Sequence, residues 1–421
     1  MQQHWLADSD VWLGWIWINC EEEGPLTLDM PPLPNYTDAG ISNVMPAVFL
    51  HLARSRGSLL GRSLPEIEEK VFTINAGLTP DLESWFPKEA NEASQIVLLV
   101  LDGLGFNQLV KFSAEMPSLA EFSVSRISSV APTTTATALT SISTGATPAT
   151  HGLLGYRMPV DNNKVMNMLS WSYLGEPGRV APRPEDVQPA MPFLNFQPNV
   201  VTKAKYKNSG FTMAHLRGTH MFDYRFPSTM VDHVCDLLSQ DEAFVYAYYE
   251  GVDTVAHEYG LSTCYREELR AVDYFLGRLL SSLPSGAMLL VTSDHGQVEV
   301  PEAPIELDER ILGSTSFLSG EGRFRWLHVK GGAQKRVLET ARELYSGGAW
   351  VVSKEELIDG GYFGSSARNV FEDSRLGDVA LIARSNVAFY DPNDTGPYNL
   401  VCRHGSLTAD ELEVPLLSYL V

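Results

Sequence analysis

Three carboxylates and three imidazoles occur in short motifs along the chain, most of them directly after apolar runs. They are Asp102, Asp253, His257, Asp294, His295 and His404. Carboxylate oxygens and imidazole nitrogens are the ligands that catalytic zinc takes in proteins. Six such ligands are enough to hold two divalent cations close together, and the hydroxyl-rich stretch 132–138 can supply a nucleophile. Metals beside an activated hydroxyl point to hydrolysis by phosphoryl transfer.

The spacing of the ligands limits how they can be used. Asp253 and His257 are four residues apart, so on a helical turn both can face one cation. Asp294 and His295 are adjacent, and such neighbours can share a cation, or serve two, where a strand ends in a turn. Each motif alone has an ordinary structural explanation, because Asp and Gly are common turn formers. The occurrence of all of them in one chain favours a functional site.

The hydroxyl-rich stretch also has two interpretations. Threonine and serine commonly cap helices or bond back to the preceding turn, and this explains most of the hydroxyls between 133 and 144. One hydroxyl at a helix N-terminus would instead lie beside backbone N–H groups suited to a phosphate. Coordination to a cation would lower its pKa and make it a nucleophile near neutral pH.

The elements that must position these groups indicate an α/β fold. Residues 95–101, 243–249 and 288–292 form apolar runs typical of strands that are covered on both faces. Residues 267–283 show helical apolar spacing. Strands that alternate with helices predict a three-layer α/β/α sandwich with a mostly parallel central sheet. Ligands in such folds bind at the carboxyl ends of the strands.

We expect a catalytic domain over residues 91–421, with a small inserted lobe at about 304–375, and an N-terminal extension over 1–90 that packs on it. In the extension, an amphipathic helix is predicted over 44–54, with Pro46 in its first turn. In the lobe, two strands (323–329 and 349–352) are expected around a helix (334–345). The segment 375–383 is expected to return to the main sheet.

Composition restricts the partners. The formal charge of −21 predicts a surface that repels long nucleic acids and anionic membranes, whereas a small phosphate ester can still reach a metal site. No apolar run reaches membrane-spanning length, and the apolar stretch 12–18 is too short and lacks the basic flank of a signal peptide. The four cysteines have no C-x-x-C spacing, which favours the cytoplasm. The oligomeric state is not predicted.

Taken together, the motifs resemble the alkaline phosphatase superfamily and, within it, the type I phosphodiesterase/nucleotide pyrophosphatase family. The resemblance covers about residues 95–300 and 375–421. The matching segments are Pro132–Thr135, Thr144–Gly145, His151–Gly152, Asp253–His257, Asp294–Gly296 and His404–Gly405.

The resemblance implies an alkaline phosphatase-like fold and a nucleophilic threonine, Thr135. It also implies two divalent cations, with zinc expected and manganese as the alternative. The first cation would be held by Asp253, His257 and His404. The second would be held by Asp102, Asp294, His295 and the Thr135 oxygen. The implied reaction is hydrolysis of phosphodiester or nucleotide pyrophosphate bonds through a phosphothreonine intermediate.

The chain also departs from the family pattern. Thr137 and Ala138 replace the proline and asparagine after the nucleophile, and Tyr156 stands where the family has an asparagine that contacts a phosphoryl oxygen. Tyr156 could donate its O–H to that oxygen or only pack, and Arg157 could add positive charge or lie at the surface. A phosphomonoesterase or a phosphonate hydrolase is therefore an alternative. An alternative of another class is a metal-stabilised binding protein without turnover, which the complete ligand set argues against.

Overall fold

A computed structural model of the chain describes residues 30–75, 78–161, 163–364, 373–394 and 400–421. The apolar stretch 12–18 lies outside the described residues. The α-helices, numbered α1–α14 in chain order, are Ile41–Arg56, Leu64–Thr73, Phe106–Lys111, Thr135–Thr144, Pro148–His151, Pro184–Val187, Gly210–Leu216, Pro227–Ser239, Gly251–Tyr259, Thr263–Ser282, Glu309–Leu312, Gln334–Tyr345, Lys354–Asp359 and Ala409–Leu412. The strands, numbered β1–β18, are Ser58–Leu59, Arg62–Ser63, Gln95–Leu101, Ser123–Ser128, Arg157–Val160, Lys164–Asn167, Ser172–Tyr173, Asn199–Lys203, His220–Tyr224, Phe244–Tyr249, Ala287–Thr292, Val298–Glu299, Thr315–Glu321, Phe324–Val329, Ala349–Ser353, Val379–Ala383, Cys402–Arg403 and Glu413–Leu420.

Among the described residues, the main sheet has seven strands in the order β4-β18-β11-β3-β10-β8-β9. Strand β3 lies in the middle and pairs in parallel with both β10 and β11. Every residue of these three strands is buried, which explains their continuous apolar sequences. Strand β18 is antiparallel to both of its neighbours. The predicted mostly parallel central sheet is confirmed.

Helices cover both faces of this sheet. On one face, Val97 of β3 belongs to the same apolar cluster as Leu269 and Val272 of α10. On the other face, Phe49 of α1 contacts Phe244 of β10, with ring centroids 5.1 Å apart. The alternation of side chains along a strand sends neighbouring residues to opposite faces, so each strand contributes to both layers. This is the predicted α/β/α sandwich.

Helix α1 includes the predicted helix at 44–54 but begins three residues earlier, at Ile41. Pro46 therefore lies in its second turn and not in the first. Pro31–Val421 form one compact unit, and the proposed boundary at residue 90 stays a prediction. In the part of the chain that the structure describes, no helix is long and apolar enough to cross a membrane.

A second sheet is antiparallel, with the order β13-β14-β16-β15, and α12 packs on it. The predicted strands and helix of the lobe are present, and the definition of 304–375 as an inserted lobe stays a prediction. The expectation that 375–383 returns to the main sheet is wrong, because β16 lies between β14 and β15. A buried apolar run identifies a strand but does not identify its partners, and here the neighbours are local ones.

Candidate active site

The predicted ligands follow strands that are neighbours in the main sheet. Asp102 comes directly after β3, Asp253 and His257 lie in α9 after β10, and Asp294 and His295 come after β11. Since β10, β3 and β11 are adjacent and parallel, their carboxyl ends meet at one edge of the sheet. The sixth ligand, His404, follows β17 and precedes the helix that leads into β18.

The structure brings all six side chains into two groups. One group contains Asp253, His257 and His404, and the other contains Asp102, Asp294 and His295. Within each group, one candidate ligand atom from every residue lies within 4.8 Å of the others. These are the same two sets that the resemblance implies for the two cations.

The three histidines are held in one orientation by backbone carbonyls. In each ring Nδ1 faces a carbonyl oxygen, so the neutral ring carries its proton on Nδ1 and its lone pair on Nε2. The contacts are His257 with Cys402 at 2.7 Å, His295 with Gly296 at 3.1 Å and His404 with Thr133 at 2.9 Å. This outer hydrogen bond is the usual way in which proteins fix a metal-binding imidazole.

In the group of Asp102, Asp294 and His295, lone pairs converge, and the two carboxylate oxygens that face the imidazole have no hydrogen-bond donor among the described residues. His295 Nε2 lies 3.5 Å from Asp102 Oδ1 and 3.3 Å from Asp294 Oδ2. Both carboxylate oxygens are buried and lack a hydrogen-bond partner among the described residues. His257 Nε2 and Asp253 Oδ1 lie 3.3 Å apart in the other group. Such contacts repel unless a cation lies between them, so the donor set fits divalent metals.

Protein donors bind three carboxylate oxygens of the site, and one of these, Asp253 Oδ1, is the atom that also faces His257. The Tyr248 hydroxyl donates a short hydrogen bond to Asp102 Oδ2. The Gln297 side-chain amide donates to Asp253 Oδ1 at 2.9 Å. Asp294 Oδ1 accepts two backbone N–H bonds, from Gly103 at 3.1 Å and from His295 at 3.0 Å. Each carboxylate is therefore oriented before any ligand binds.

Two of these supporting residues, Tyr248 and Gln297, were missed by the sequence analysis. Tyr248 lies within β10, opposite Val100 of β3, so only the pairing register of the two strands places it next to Asp102. Gln297 follows the Asp294 motif and reaches across to a helix 44 residues earlier in the chain. Proximity to the motif was the only available signal for Gln297, and there was none for Tyr248.

Burial and charge change the titration of the site. Burial, followed by the charges of Asp294 and Asp253, raises the pKa of Asp102 well above its ordinary value. Burial also raises the pKa of Asp294. Burial, followed by the neighbouring histidines, holds the pKa of His404 well below its ordinary value, which keeps it neutral and able to bind a metal. Without a cation the carboxyl groups favour retaining protons, and metal binding displaces them.

The two groups adjoin each other. The rings of His295 and His404 stack with centroids 3.6 Å apart. Gly103 brings the Asp102 loop against α9, with a φ of +76°, and a Cβ on this residue would lie only 2.9 Å from the Asp253 Cα. A side chain would therefore push the two groups apart, and glycine also adopts this left-handed conformation without strain.

Thr135 is the first residue of α4, and its Oγ1 lies 3.2 Å from His295 Nε2. Its side chain therefore touches the group that contains Asp102 and Asp294. Other hydroxyls of the same helix bond back to carbonyl oxygens one turn earlier, as in Thr140 to Ala136 at 2.7 Å. The structural interpretation holds for those residues.

A cavity of about 290 Å³ opens beside Thr135. Its other walls carry Tyr156, Arg157 and residues of the second sheet. The Tyr156 hydroxyl accepts a hydrogen bond from the Asn167 side-chain amide at 2.7 Å, which leaves its own proton for another acceptor. Arg157 is only 5% exposed and pairs with Asp394, so it is not a surface residue.

The mostly parallel sheet, with two carboxylate–imidazole groups at its edge beside a threonine at a helix N-terminus, defines a hydrolase of the alkaline phosphatase superfamily. Residues 96–407 match the family model described as type I phosphodiesterase / nucleotide pyrophosphatase, and the chain belongs to that family. It is therefore an enzyme that hydrolyses phosphate esters. The resemblance drawn from the motifs is confirmed.

Similar solved structures show the same fold at low sequence identity. Murine ectonucleotide pyrophosphatase / phosphodiesterase 5 is 16% identical over 77% of this chain and 88% of its own, with a TM-score of 0.59. The human protein of the same name is 18% identical over 77% and 87%, with a TM-score of 0.58. Phosphonoacetate hydrolase from Sinorhizobium meliloti 1021, in complex with phosphonoformate, is 18% identical over 77% and 89%, with a TM-score of 0.57. No curated protein sequence matches the chain.

Proposed function

We propose that the chain is a two-metal phosphodiesterase or nucleotide pyrophosphatase that works through a phosphothreonine intermediate. One observation carries this proposal. Thr135 Oγ1 lies at the N-terminus of α4, 3.2 Å from His295 Nε2, where the lone pairs of Asp102 and Asp294 converge without a donor. A hydroxyl in this place can be deprotonated and can reach a phosphorus atom in the adjoining cavity.

We assign the first cation to Asp253, His257 and His404. The second is assigned to Asp102, Asp294, His295 and the Thr135 oxygen. Two divalent cations bound there, zinc first and manganese as the alternative, would lower the pKa of the threonine hydroxyl and stabilise charge on the leaving oxygen.

The chain's own residues supply the other parts of the reaction. Thr135 Oγ attacks phosphorus, the bond from phosphorus to the leaving oxygen breaks, and a phosphothreonine forms. Water then attacks the same phosphorus, and the bond to Thr135 breaks, so that the hydroxyl is restored. The N–H groups in the first turn of α4 would donate to a phosphate held beside Thr135. The remaining proton of Tyr156 is available to a phosphoryl oxygen.

A monoester or phosphonate substrate is the second candidate, and Arg157 favours it. This guanidinium is buried at the cavity beside Tyr156, with its carbon 5.3 Å from the centre of the tyrosine ring. A monoester or a phosphonate carries more negative charge than a diester, and it would compete with Asp394 for this buried guanidinium. The substrate is in either case a small phosphorus ester or phosphonate.

We also propose that the enzyme works in a reducing compartment, the cytoplasm. Cys235, Cys264 and Cys402 are free thiols, and Cys264 is exposed. An exposed free thiol is typical of proteins that are kept reduced. Fractionation of the source cells, with thiol labelling before lysis, would contradict this if the protein were found outside the cytoplasm.

The nucleophile can be tested with Thr135→Ala in assays of bis-p-nitrophenyl phosphate, p-nitrophenyl phosphate and a dinucleoside pyrophosphate, each with zinc or manganese. We expect loss of Thr135 to lower kcat at least about 10³-fold, which is the scale of removing a nucleophile. Thr137→Ala is the matched control, since this buried hydroxyl of the same helix has no hydrogen-bond partner in the described part of the chain. Tyr156→Phe, assayed on the same esters, should lower kcat more than it changes KM.

Three results would decide against the proposal or parts of it. If the wild type hydrolyses none of these esters with either metal, the enzymatic assignment to these substrates fails. If Thr135→Ala and the wild type have equal rates, the role of Thr135 fails. Acid quenching during turnover followed by mass spectrometry should find phosphate on the peptide that contains Thr135, and its presence elsewhere would contradict the mechanism.

A further inference from the structure

The turn between β13 and β14 contacts the active site from outside the main sheet. It runs from Glu321, the last residue of β13, through Gly322 and Arg323, and all three line the same cavity as Thr135 and His404. The second sheet therefore reaches the metal-binding groups at this turn. Strand β16 of the same sheet also contacts the loop after His404, where the Ser406 hydroxyl donates to the Ala383 carbonyl. The contacts of this turn show which residues of the site it positions.

Arg323 and Glu411 form an ion pair at the base of this turn. Arg323 Nε donates to Glu411 Oε1 at 2.7 Å, and Nη2 donates to Oε2 at 2.8 Å. Both side chains are 0% exposed. Arg323 Nη1 donates to the carbonyl oxygens of Ser385 and Val387, at 2.9 and 2.7 Å. The guanidinium is held on three sides, and this planar fork cannot be reproduced by another side chain.

Glu411 carries this constraint into the loop that follows His404. Its Oε1 accepts the backbone N–H of Ser406 at 3.0 Å, and its Oε2 accepts the hydroxyl of Thr408 at 2.6 Å. Both carboxylate oxygens therefore bind Arg323 and the loop at the same time. The position of the loop between His404 and α14 depends on the position of this carboxylate.

Thr133 completes the connection to His404. Its hydroxyl donates to the carbonyl of Ser406 at 2.6 Å and accepts the N–H of Gly405 at 3.1 Å. Its carbonyl accepts the Nδ1 proton of His404 at 2.9 Å. A continuous set of hydrogen bonds thus runs from Arg323 through Glu411 and Ser406 to the imidazole.

The same turn also packs directly on the residue after His404. A Cβ on Gly405 would lie 2.6 Å from Glu321 Cδ, so the carboxyl group rests against the glycine backbone. The φ of Gly405 is +121°, a value that other residues rarely adopt. Glu321 also lines the cavity together with Thr134. The turn therefore contacts the His404 loop and lies in the same cavity as the residue before the proposed nucleophile.

We propose that Arg323 is a positioning residue that holds His404 in the first metal-binding group through its ion pair with Glu411. The proposal rests on the function assigned above, because it gives Arg323 a role in metal binding. Outer partners of metal ligands commonly change metal affinity by about 10-fold to 100-fold. The side chains of this ion pair bind the loop after His404. Glu411 is linked to the loop of Asp294 and His295 through its backbone carbonyl, which accepts the Gly296 N–H and is kept in both variants, so the effect should fall on the first group.

The test measures metal binding and not turnover. Metal-free wild type, Arg323→Gln and Glu411→Gln are titrated with Zn²⁺ in competition with a chromogenic chelator. We expect the wild type to bind two equivalents, and each variant to bind one of them about 10-fold to 100-fold more weakly while the other is unchanged. His404→Ala identifies the first group, because it should weaken the same zinc equivalent that Arg323→Gln and Glu411→Gln weaken.

Arg325→Gln is the matched control. Arg325 lies two residues further along β14, is also 0% exposed, and donates to Asp394 at 2.8 Å. Its loss removes a buried arginine of β14, two residues after Arg323, and leaves the hydrogen bonds of Glu411 in place. We expect both equivalents of zinc to bind to this variant as they do to the wild type.

Four outcomes are informative. The positioning role is overturned if folded Arg323→Gln binds both equivalents of zinc as the wild type does, if it weakens both alike, or if Arg325→Gln weakens the same equivalent to the same extent. If circular dichroism shows that Arg323→Gln is unfolded, Arg323→Lys, which keeps the charge but not the fork, is judged by the same titration. If the wild type binds no zinc or manganese, the proposed function fails. Selective loss of the equivalent lost in His404→Ala supports the proposal.

Discussion

Replacement of Tyr248 by phenylalanine should weaken metal binding at Asp102 while the fold is preserved. The change removes one hydroxyl from a buried strand, and with it the hydrogen bond to Asp102 Oδ2. A hydrogen bond to a charged group contributes about 1.5–3 kcal/mol. At about 1.4 kcal/mol for each factor of ten, the affinity of this group should fall about 10-fold to 150-fold. The bond also lowers the pKa of Asp102, so its loss adds proton competition.

The assay is a zinc competition titration of the metal-free variant, with the number of equivalents and each dissociation constant fitted separately. Tyr246→Phe is the control. Tyr246 lies two residues earlier on the same strand, and its buried hydroxyl has no hydrogen-bond partner among the described residues. Removal of that hydroxyl should leave both affinities close to the wild-type values. The two variants therefore differ in one hydrogen bond only.

The reasoning is refuted if Tyr248→Phe binds both equivalents with wild-type affinity. It is also refuted if Tyr246→Phe weakens zinc binding to the same extent, because the effect would then come from repacking of the strand. We expect Tyr248→Phe to lose zinc affinity at one equivalent only, and this should be the equivalent that Asp102→Asn also loses.

Two further predictions concern Gly103 and the acidic ligands. Gly103→Ala should destabilise the protein by about 1–2 kcal/mol through left-handed backbone strain, which urea unfolding measures. It should also weaken the binding of both zinc equivalents, because its Cβ would displace Asp253, and the metal content of the purified variant measures this. Wild-type stability together with wild-type metal content would contradict the explanation. In the metal-free protein, burial raises the folded-state pKa of Asp102 and Asp294 above the ordinary value of about 3.9. Their contribution to stability is therefore present below that value and is lost as the pH rises through the raised pKa. In the presence of a chelator, the melting temperature should fall more steeply with rising pH for the wild type than for Asp102→Asn. An equal dependence of the melting temperature on pH in the two proteins would contradict this.

The centre of the fold and the ligand set could be predicted from the sequence. Strands β3, β10 and β11 are covered on both faces, so their composition alone identifies them. Parallel neighbours end at the same edge, and residues that directly follow them must therefore meet. The motif order and the resemblance then supplied Thr135 and the division of the ligands into two groups.

The supporting contacts could not be predicted, because they depend on pairing and not on composition. Arg323 and Glu411 are 88 residues apart, and charged residues are expected at the surface unless they are paired. For the same reason, the sequence allows Arg157 to add positive charge at the site or to lie at the surface. Only the folded structure shows the partner, Asp394, with which its charge is buried. Strand β16 was assigned to the wrong sheet because its apolar residues fit a buried position in either one.

The place of β18 has a consequence for how the molecule reaches its native state. This strand is the last in chain order, yet it lies between β4 and β11 and is hydrogen-bonded to both. Until it docks, two strand edges have no partner, and such edges invite association with other chains. Pairings this distant along the chain form slowly, because long loops must close first. During synthesis the edges of β4 and β11 therefore stay unpaired until β18 has been made, and this exposes the folding chain to aggregation.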